Sequence, residues 1–274
     1  MLTIRPFRTV EEYRACVELQ EETWGRGFSE RVPCAVLKVA RMLGGVASGA
    51  WNEQGRLAGF VFGMTGLRDG EVVHWSDMLA VRAGLRDAGL GTRLKAHQRE
   101  LMVGIGVEKM LWTFDPLRAR NAYMNFSKLG IVVREYAPDM YGQSDSPLHR
   151  GIGTDRFIAL WLLSSERVCA RMGRRERGPG PEGKSDADIA LAALSDAPDG
   201  PRPAEPDLTL RSRKLLVAIP SDIGAVMERD MKLALEWRRA TRAVFTTYLP
   251  RGYEVRELVR GERTSDYVLA PVAT

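Results

Sequence analysis

The strongest constraint on the fold lies in residues 79–92, where an apolar segment runs through a glycine-bearing turn directly into a helix. This stretch reads LAVRAGLRDAGLGT. A helix that begins in this way leaves unpaired backbone N–H groups in its first turn, and the helix dipole adds about half a positive charge there. Because Arg86 and Arg93 flank the turn, the stretch is predicted to bind a pyrophosphate.

The spacing of residues in this turn narrows the kind of phosphate ligand. A P-loop needs Lys followed by Ser or Thr after its last glycine, whereas Leu90 follows Gly89 here. A dinucleotide fingerprint needs three glycines, and only Gly89 and Gly91 have its spacing. The pattern that fits is Arg-x-x-Gly-x-Gly, which begins at Arg86, five residues after Val81. From the residues alone, two glycines that occur by chance in a strand–turn–helix remain an alternative.

The hydrophobic pattern along the first 165 residues predicts an α+β or mixed-sheet domain, because strands and helices alternate irregularly. Asn52–Gly55 and Arg68–Gly70 are typical of turns between antiparallel strands. The predicted elements are a strand at 2–5, helices at 9–24 and 33–43, strands at 46–51, 57–65 and 72–81, a helix at 91–103, a strand at 107–114, a helix at 119–129, and strands at 131–136 and 155–163.

The Arg-x-x-Gly-x-Gly turn and this order of elements together resemble the GNAT superfamily of N-acyltransferases, which use acyl-CoA. The resemblance implies a mixed, mostly antiparallel sheet with helices on both faces. It also implies that the backbone N–H groups of Leu79 and Val81 bind the thioester and pantetheine. The pyrophosphate would be held by the amides of Arg86, Asp87, Ala88, Gly89, Leu90, Gly91 and Thr92.

A second motif, NAYMNFSKLG at residues 121–130, resembles the superfamily segment that ends in an aromatic residue and Lys-Leu-Gly. The family often has a tyrosine four residues before the glycine, where its hydroxyl can protonate the leaving thiolate. Phe126 stands there in this chain, and Tyr123 is the candidate substitute. Asn121 and Asn125 are candidate contacts to the coenzyme, with helix capping or a surface position as the alternative.

A base is needed because the attacking amine loses a proton, and a group whose pKa is near the working pH serves best. Asp77 and His74, on the strand that enters the turn, are the candidates. His74 has the suitable intrinsic pKa, near 6.5. In a regular strand, the side chains of Asp77 and Leu79 would point to the same face of the sheet. A β-bulge between them would place the two side chains on opposite faces.

Further segments resemble one GNAT subgroup, the one associated with N-succinylamino acid racemases. They include TFDPL at 113–117, GTDRF at 153–157 and WRRATR at 237–242. The resemblance implies succinyl transfer to the α-amine of an amino acid, although the spacing does not distinguish succinyl-CoA from acetyl-CoA. A carboxylate on the donor or the acceptor prefers a bidentate arginine. Arg156 is the candidate for this contact, and Arg238 is interpreted as packing plus a salt bridge.

Composition predicts three regions. Residues 1–165 form the acyl-CoA-binding domain. Residues 172–207 hold six prolines, five glycines and no aromatic residue, which predicts a flexible linker with at most a short helix near 189–194. Residues 210–274 are predicted to form a smaller α/β extension, a strand, two helices and a hairpin, that packs on the core or on a partner subunit.

The net charge of +5 is mild, and there is no basic helix with interleaved aromatic residues, so we expect no nucleic-acid partner. No apolar stretch approaches a membrane span. The three cysteines are far apart and favour a reducing, cytoplasmic location. The three histidines have no ligand spacing, so no metal is expected.

We expect a homodimer that acts on a small-molecule amine. The alternatives are a protein or peptide N-acetyltransferase and a coenzyme-A-binding regulatory module, the latter favoured by Phe126.

Overall fold

The computed structural model describes residues 2–86, 88–142, 151–173, 184–194 and 200–272. Contacts divide the chain into two compact units. The first comprises Met1–Trp112 and Leu162–Ser165, and the second comprises Thr113–Trp161 and Glu166–Thr274. Both units combine helices with a sheet that is mostly antiparallel, which confirms the predicted α+β class.

In the first unit, the strands are ordered β1-β2-β3-β4-β5, and all neighbours are antiparallel except β4 and β5. The strands and helices follow the predicted order closely. They are β1 (Thr3–Pro6), α1 (Val10–Trp24), α2 (Cys34–Met42), β2 (Val46–Trp51), β3 (Leu57–Arg68), β4 (Glu71–Val81), α3 (Leu90–Gly104) and β5 (Lys109–Phe114), whose last two residues belong to the second unit.

Helices cover both faces of this sheet. On one face Phe60, Phe62 and Met78 are buried against residues of α1 and α2. On the other face polar side chains of β3 and β4 meet α3, as the hydrogen bond between Ser76 and Gln98 shows. Local signals set the helix ends: Thr9 caps α1 by accepting a hydrogen bond from the amide of Glu12.

A β-bulge interrupts β4 where it pairs with β3. Met78 lies opposite Phe62, but Ser76 lies opposite Gly63, so Asp77 is an extra residue in β4. Directly paired residues point to the same face, and a bulge therefore inverts the alternation along its strand. As a result Leu79 shares the α3 face with Ser76, which is three residues away.

In the second unit, the strands are ordered β7-β6-β12-β13-β11-β8, with β8 parallel to β11. The short strands β9 and β10 pair separately. The elements are α4 (Ala119–Tyr123), continued by a π-helical turn (Met124–Leu129), β6 (Val132–Ala137), β7 (Arg156–Leu162), α5 (Glu166–Gly173), β8 (Asp188–Leu191), β9 (Ala193–Leu194), β10 (Arg202–Pro203), β11 (Leu215–Pro220), α6 (Ile223–Arg229), α7 (Met231–Tyr248), β12 (Tyr253–Val259) and β13 (Thr264–Pro271).

The short helix predicted near residues 189–194 is wrong. This segment forms β8 and β9, and Ala190 and Leu191 are buried. Extended pairing with β11 outweighs the helix propensity of this alanine-rich stretch, because tertiary contacts often override a weak local preference.

Farther along, β12 pairs with β6 through Val255 and Val133. The domain limits near 165 and 210 stay predictions.

No helix in the described residues is long and apolar enough to cross a membrane.

A buried ion pair lies in the core of the second unit. Nη2 of Arg238, on α7, donates to both carboxylate oxygens of Asp115 at 2.9 Å, and Nε donates to the carbonyl of Ile152 at 3.2 Å. Arg238 is only 3% exposed. The packing and salt bridge expected for this arginine are therefore present, and the pair ties α7 to residues before α4.

We predict that Arg238→Met lowers the free energy of unfolding by about 3–5 kcal/mol, because it leaves the Asp115 carboxylate buried without its partner. The measurement is urea unfolding followed by circular dichroism. The exposed neighbour Arg239 supplies the control, and Arg239→Met should change stability by no more than about 0.5 kcal/mol. The double variant Asp115→Asn with Arg238→Met should recover part of the loss, and a loss as large as in the single variant would contradict the explanation.

Candidate functional site

The carboxyl end of β4 carries backbone amides that turn away from β3. The amide of Arg82 donates to the carbonyl of Ala58 at 3.0 Å. Since N–H direction alternates along a strand, the N–H groups of Leu79 and Val81 point to the opposite side of β4. These are the two amides that, by the family resemblance, would bind the thioester and pantetheine.

On that opposite side, β5 runs beside only the first part of β4. The parallel pairs are Val73 with Lys109, His74 with Met110, and Trp75 with Leu111. Residues 76–81 therefore have no partner in the part of β5 that belongs to the first unit. Within the first unit, the amides of Leu79 and Val81 are therefore available for a ligand.

The predicted phosphate loop follows directly. After a short 3-10 turn (Ala83–Leu85), Nε of Arg86 donates to the carbonyl of Val81 at 3.2 Å. Gly89 is the N-cap of α3, with φ of +78°, and no side chain caps the helix. A methyl group on Gly89 would meet open space. Positive φ favours glycine, so this residue allows the turn while leaving the ligand side clear.

The start of α3 lies beside the end of β4. A Cβ built on Gly91 would be 3.6 Å from Cδ2 of Leu79. The amides of Leu90, Gly91 and Thr92 belong to the first turn of a fifteen-residue helix that has no acidic residue in that turn. Ala88 is exposed, and Asp87 lies outside the described residues. This arrangement fits an anion at the helix start and an uncharged acceptor group along β4.

His74 is placed where it cannot serve as the predicted base. It is fully buried, with Nδ1 3.0 Å from Oγ1 of Thr65 and Nε2 2.9 Å from Nε2 of Gln98. Thr65 donates to the carbonyl of Gly44 at 2.8 Å, so the network assigns the ring proton to Nδ1 and makes Nε2 an acceptor. Burial is the main cause that lowers the pKa of His74 to about 3. Both nitrogens are already occupied.

Asp77 is the extra residue of the bulge and its side chain is exposed. Protein atoms nonetheless surround the carboxylate closely enough that desolvation raises its pKa, opposed by a hydrogen bond from Trp75 and assisted by the charge of Glu30. The bulge thus presents a carboxylate whose protonation is favoured beside the open part of β4.

Lys95 is the residue that sequence reasoning missed. It lies on α3, only 4% exposed, and its Nζ donates to Oγ of Ser76 at 2.7 Å. The same nitrogen lies 3.7 Å from the ring centroid of Trp112. Desolvation lowers the pKa of Lys95 well below its usual value. The available signal was its helical spacing with Gln98 and Met102, which are also buried.

In the second unit, the candidate residues of α4 and its π-helical continuation differ in exposure. Asn121 is exposed, and Tyr123 is half-buried with Cζ of Arg260 5.1 Å from its ring centroid. Asn125 is buried, and neither polar atom of its carboxamide has a hydrogen-bond partner. Phe126 is fully buried and makes edge contacts with other aromatic rings of this unit.

Arg156, the candidate for a substrate carboxylate, is also buried. Its Nη1 donates to the carbonyl of Asp155 at 3.0 Å, and its Cζ lies 5.3 Å from the ring centroid of Tyr141. The structure thus brings together the β4 and loop residues within the first unit. The candidates at 121, 123, 125 and 156 belong to the second unit. Among the described residues there is no cluster of three metal-ligating side chains.

Comparison with protein-family models and with curated proteins gives no match. Several solved structures are similar. One is a putative acetyltransferase from Salmonella typhimurium solved with its cofactor acetyl-CoA, at 18% identity, 60% of this chain, 95% of that chain and a TM-score of 0.49. Another is the ribosomal-protein-S18-alanine N-acetyltransferase from Escherichia coli, at 17% identity, 60% and 96% coverage and 0.46. A third is an acetyltransferase of the GNAT family from Streptococcus pneumoniae, at 17% identity, 58% and 98% coverage and 0.47.

We predict that His74 stays neutral in the folded protein from pH 8 to pH 5. Because its folded pKa of about 3 lies below the unfolded value near 6.5, the unfolded chain binds more protons below pH 6.5. Stability is therefore lost as pH falls, by up to about 1.4 kcal/mol per pH unit from this group. Ring-carbon chemical shifts of 13C-labelled histidine measure the titration, with half-buried His97 as the internal comparison. A midpoint for His74 near 6.5 would contradict the prediction.

Proposed function

We propose that this protein is an N-acyltransferase that moves an acyl group from acyl-CoA to a primary amine. The observation that carries the proposal is the placement of two strand amides, at Leu79 and Val81, beside the uncapped start of α3. In an acyl-CoA, the pyrophosphate would meet the start of α3 and the thioester would meet the two strand amides.

The proposed reaction is direct attack of the amine on the thioester carbonyl. Strand amides are fixed in place, so they stabilise the developing oxyanion without reorganisation, and one such donor contributes about 3 kcal/mol to lowering the barrier. The loop amides and Arg86 would hold the pyrophosphate through charge-assisted hydrogen bonds. A covalent acyl-cysteine is disfavoured at Cys16, because burial raises the pKa of its thiol to about 12 and the thiolate is the nucleophile.

For the acceptor, we propose a small-molecule amine, with the α-amine of an amino acid as the leading class and Arg156 as the group that would face its carboxylate. The proposed acyl donor is either acetyl-CoA or succinyl-CoA. A thiol-release assay with each donor against amino acids, polyamines and short peptides tests this. Turnover with a peptide and acetyl-CoA alone would reject the amino-acid acceptor and favour a peptide N-acetyltransferase.

A coenzyme-binding regulatory module is the second candidate, and Phe126 is the observation that favours it. The phenyl ring is fully buried and offers no proton to a leaving thiolate. Tight binding of CoA in calorimetry without turnover on any amine would support the module over the enzyme. The cysteines among the described residues are all free, which supports the proposed cytoplasmic location, and the homodimer stays a prediction.

We predict that Gly89→Ala weakens CoA binding by about tenfold or more, measured by isothermal titration calorimetry. The new methyl group would project into the open space before the loop amides, and alanine at positive φ costs roughly 1–2 kcal/mol of stability. Gly55→Ala is the matched control, since Gly55 has φ of +72° and equally open surroundings in the turn between β2 and β3. It should lose similar stability and no CoA affinity. Equal affinities for the two variants would remove the loop from the site.

A further inference from the structure

The amine of Lys95 lies where β4 and β5 part. The last parallel pair is Trp75 with Leu111, so Ser76 and Trp112 are the next residue on each strand. Nζ of Lys95 is 2.7 Å from Oγ of Ser76 and 3.7 Å from the ring centroid of Trp112. One nitrogen therefore touches both strands at the first position where they no longer pair.

A directed chain of hydrogen bonds fixes the role of each polar group behind this amine. Ser76 accepts from Lys95 and donates to Oε1 of Gln98 at 2.9 Å. Nε2 of Gln98 donates to His74, which donates to Thr65 through Nδ1. A neutral Lys95 amine spends one N–H on Ser76 and directs another toward the Trp112 ring, which leaves its lone pair unused by the chain.

The groups that face Lys95 provide no counter-charge. Ser76 and His74 face it from β4, Trp112 from β5 and Gln98 from its own helix, and His74 is neutral. Desolvation alone shifts the pKa of Lys95, with no carboxylate contributing. A buried amine without a counter-ion favours its neutral form. In other enzymes, lysines whose pKa is lowered toward neutral pH by burial serve as bases.

We propose that Lys95 accepts the proton that the acceptor amine loses during acyl transfer, a role that rests on the proposed function. The acceptor nitrogen forms a bond to the thioester carbon as the carbon–sulfur bond breaks. The nitrogen gives up one proton to the lone pair of Lys95, which becomes an ammonium. That proton then returns to the departing thiolate, so an amine and an acyl thioester yield an amide and a free thiol.

The position of Lys95 relative to the proposed oxyanion donors supports this role. Because of the bulge, Ser76 and Leu79 point to the same face of β4, about 10 Å apart at the usual rise per residue. In the proposed arrangement the acyl group and the attacking amine occupy that interval, and one water completes the path to Nζ. His74 has no free nitrogen, and Phe126 has no proton to exchange.

The test compares Lys95→Met with wild type and with Lys109→Met. Lys109 is a partly exposed lysine of β5 that pairs with Glu71, so its variant controls for loss of a lysine from the same sheet. Calorimetry with CoA comes first. Turnover is then followed by thiol release from acetyl-CoA and, separately, from succinyl-CoA, with an equimolar mixture of the nineteen protein amino acids other than cysteine as acceptors.

We expect Lys95→Met to bind CoA within about threefold of wild type while its kcat falls by about 100-fold or more. The wild-type kcat should decline as pH falls through the Lys95 pKa, since the ammonium cannot accept a proton, and this acidic limb should be absent in the variant. The melting temperature should be unchanged or higher, because methionine replaces an uncompensated buried amine with an apolar chain of similar length.

Normal kcat and an unchanged pH profile in Lys95→Met would overturn the role of Lys95 alone, whereas a wild-type protein without CoA binding or turnover would overturn the proposed function as well. If the variant does not fold, the pH titration of Lys95 is measured instead by NMR in wild-type protein labelled with 13C-lysine. The Lys95 signal is identified by the ring-current shift from Trp112. Titration below pH 9 supports the proposal, and an ammonium that persists above pH 10 rejects it.

Discussion

The parallel pairing of β4 with β5, and its end after three residue pairs, is the constraint on which the rest of the first unit depends. Parallel strands in a continuous sheet satisfy each other's backbone groups along their length. Here the pairing stops at Trp75 and Leu111, so within the first unit the amides of Leu79 and Val81 have no strand partner. A buried strand with unpaired amides is costly, and a ligand that supplies acceptors removes that cost. The start of α3 stands beside the same strand end, so both donor sets face one region.

The bulge at Asp77 changes which side chains lie around these amides. Without it, Leu79 would lie on the face occupied by α1 and α2, and Ser76 and Leu79 would point in opposite directions. With it, the α3 face holds Ser76, Leu79 and Val81 together. One extra residue therefore changes which side chains surround the open amides, and it exposes a carboxylate at the same point. Bulges are frequent next to active sites for this reason.

The sequence allowed the element order and the glycine-bearing turn before α3 to be predicted because both depend on local chemistry. Glycine at positive φ, an uncapped helix start and alternating apolar residues are visible within a few positions of the chain, as at Gly89. Features that depend on distant partners were missed. β8 forms because β11 lies beside it, and His74 is inert because Gln98 and Thr65, 24 and 9 residues away, occupy its nitrogens. The bulge was named only as a possibility, since its register needs both strands.

Each unit buries a basic side chain, but only the second unit places a carboxylate against it. This contrast bears on function. In the second unit Arg238 is buried with Nη2 donating to both oxygens of the Asp115 carboxylate, so an opposite charge compensates the charge taken out of water. In the first unit Lys95 is buried against a hydroxyl and an indole ring, with no carboxylate among the groups that face it. A methionine would fill similar space without the cost of desolvating an amine, so packing alone does not require an amine at this position. Perturbed titratable groups of this kind concentrate where proteins carry out chemistry. The location of Lys95 at the parting of β4 and β5, and not its burial alone, connects the amine to the amides that would bind the thioester.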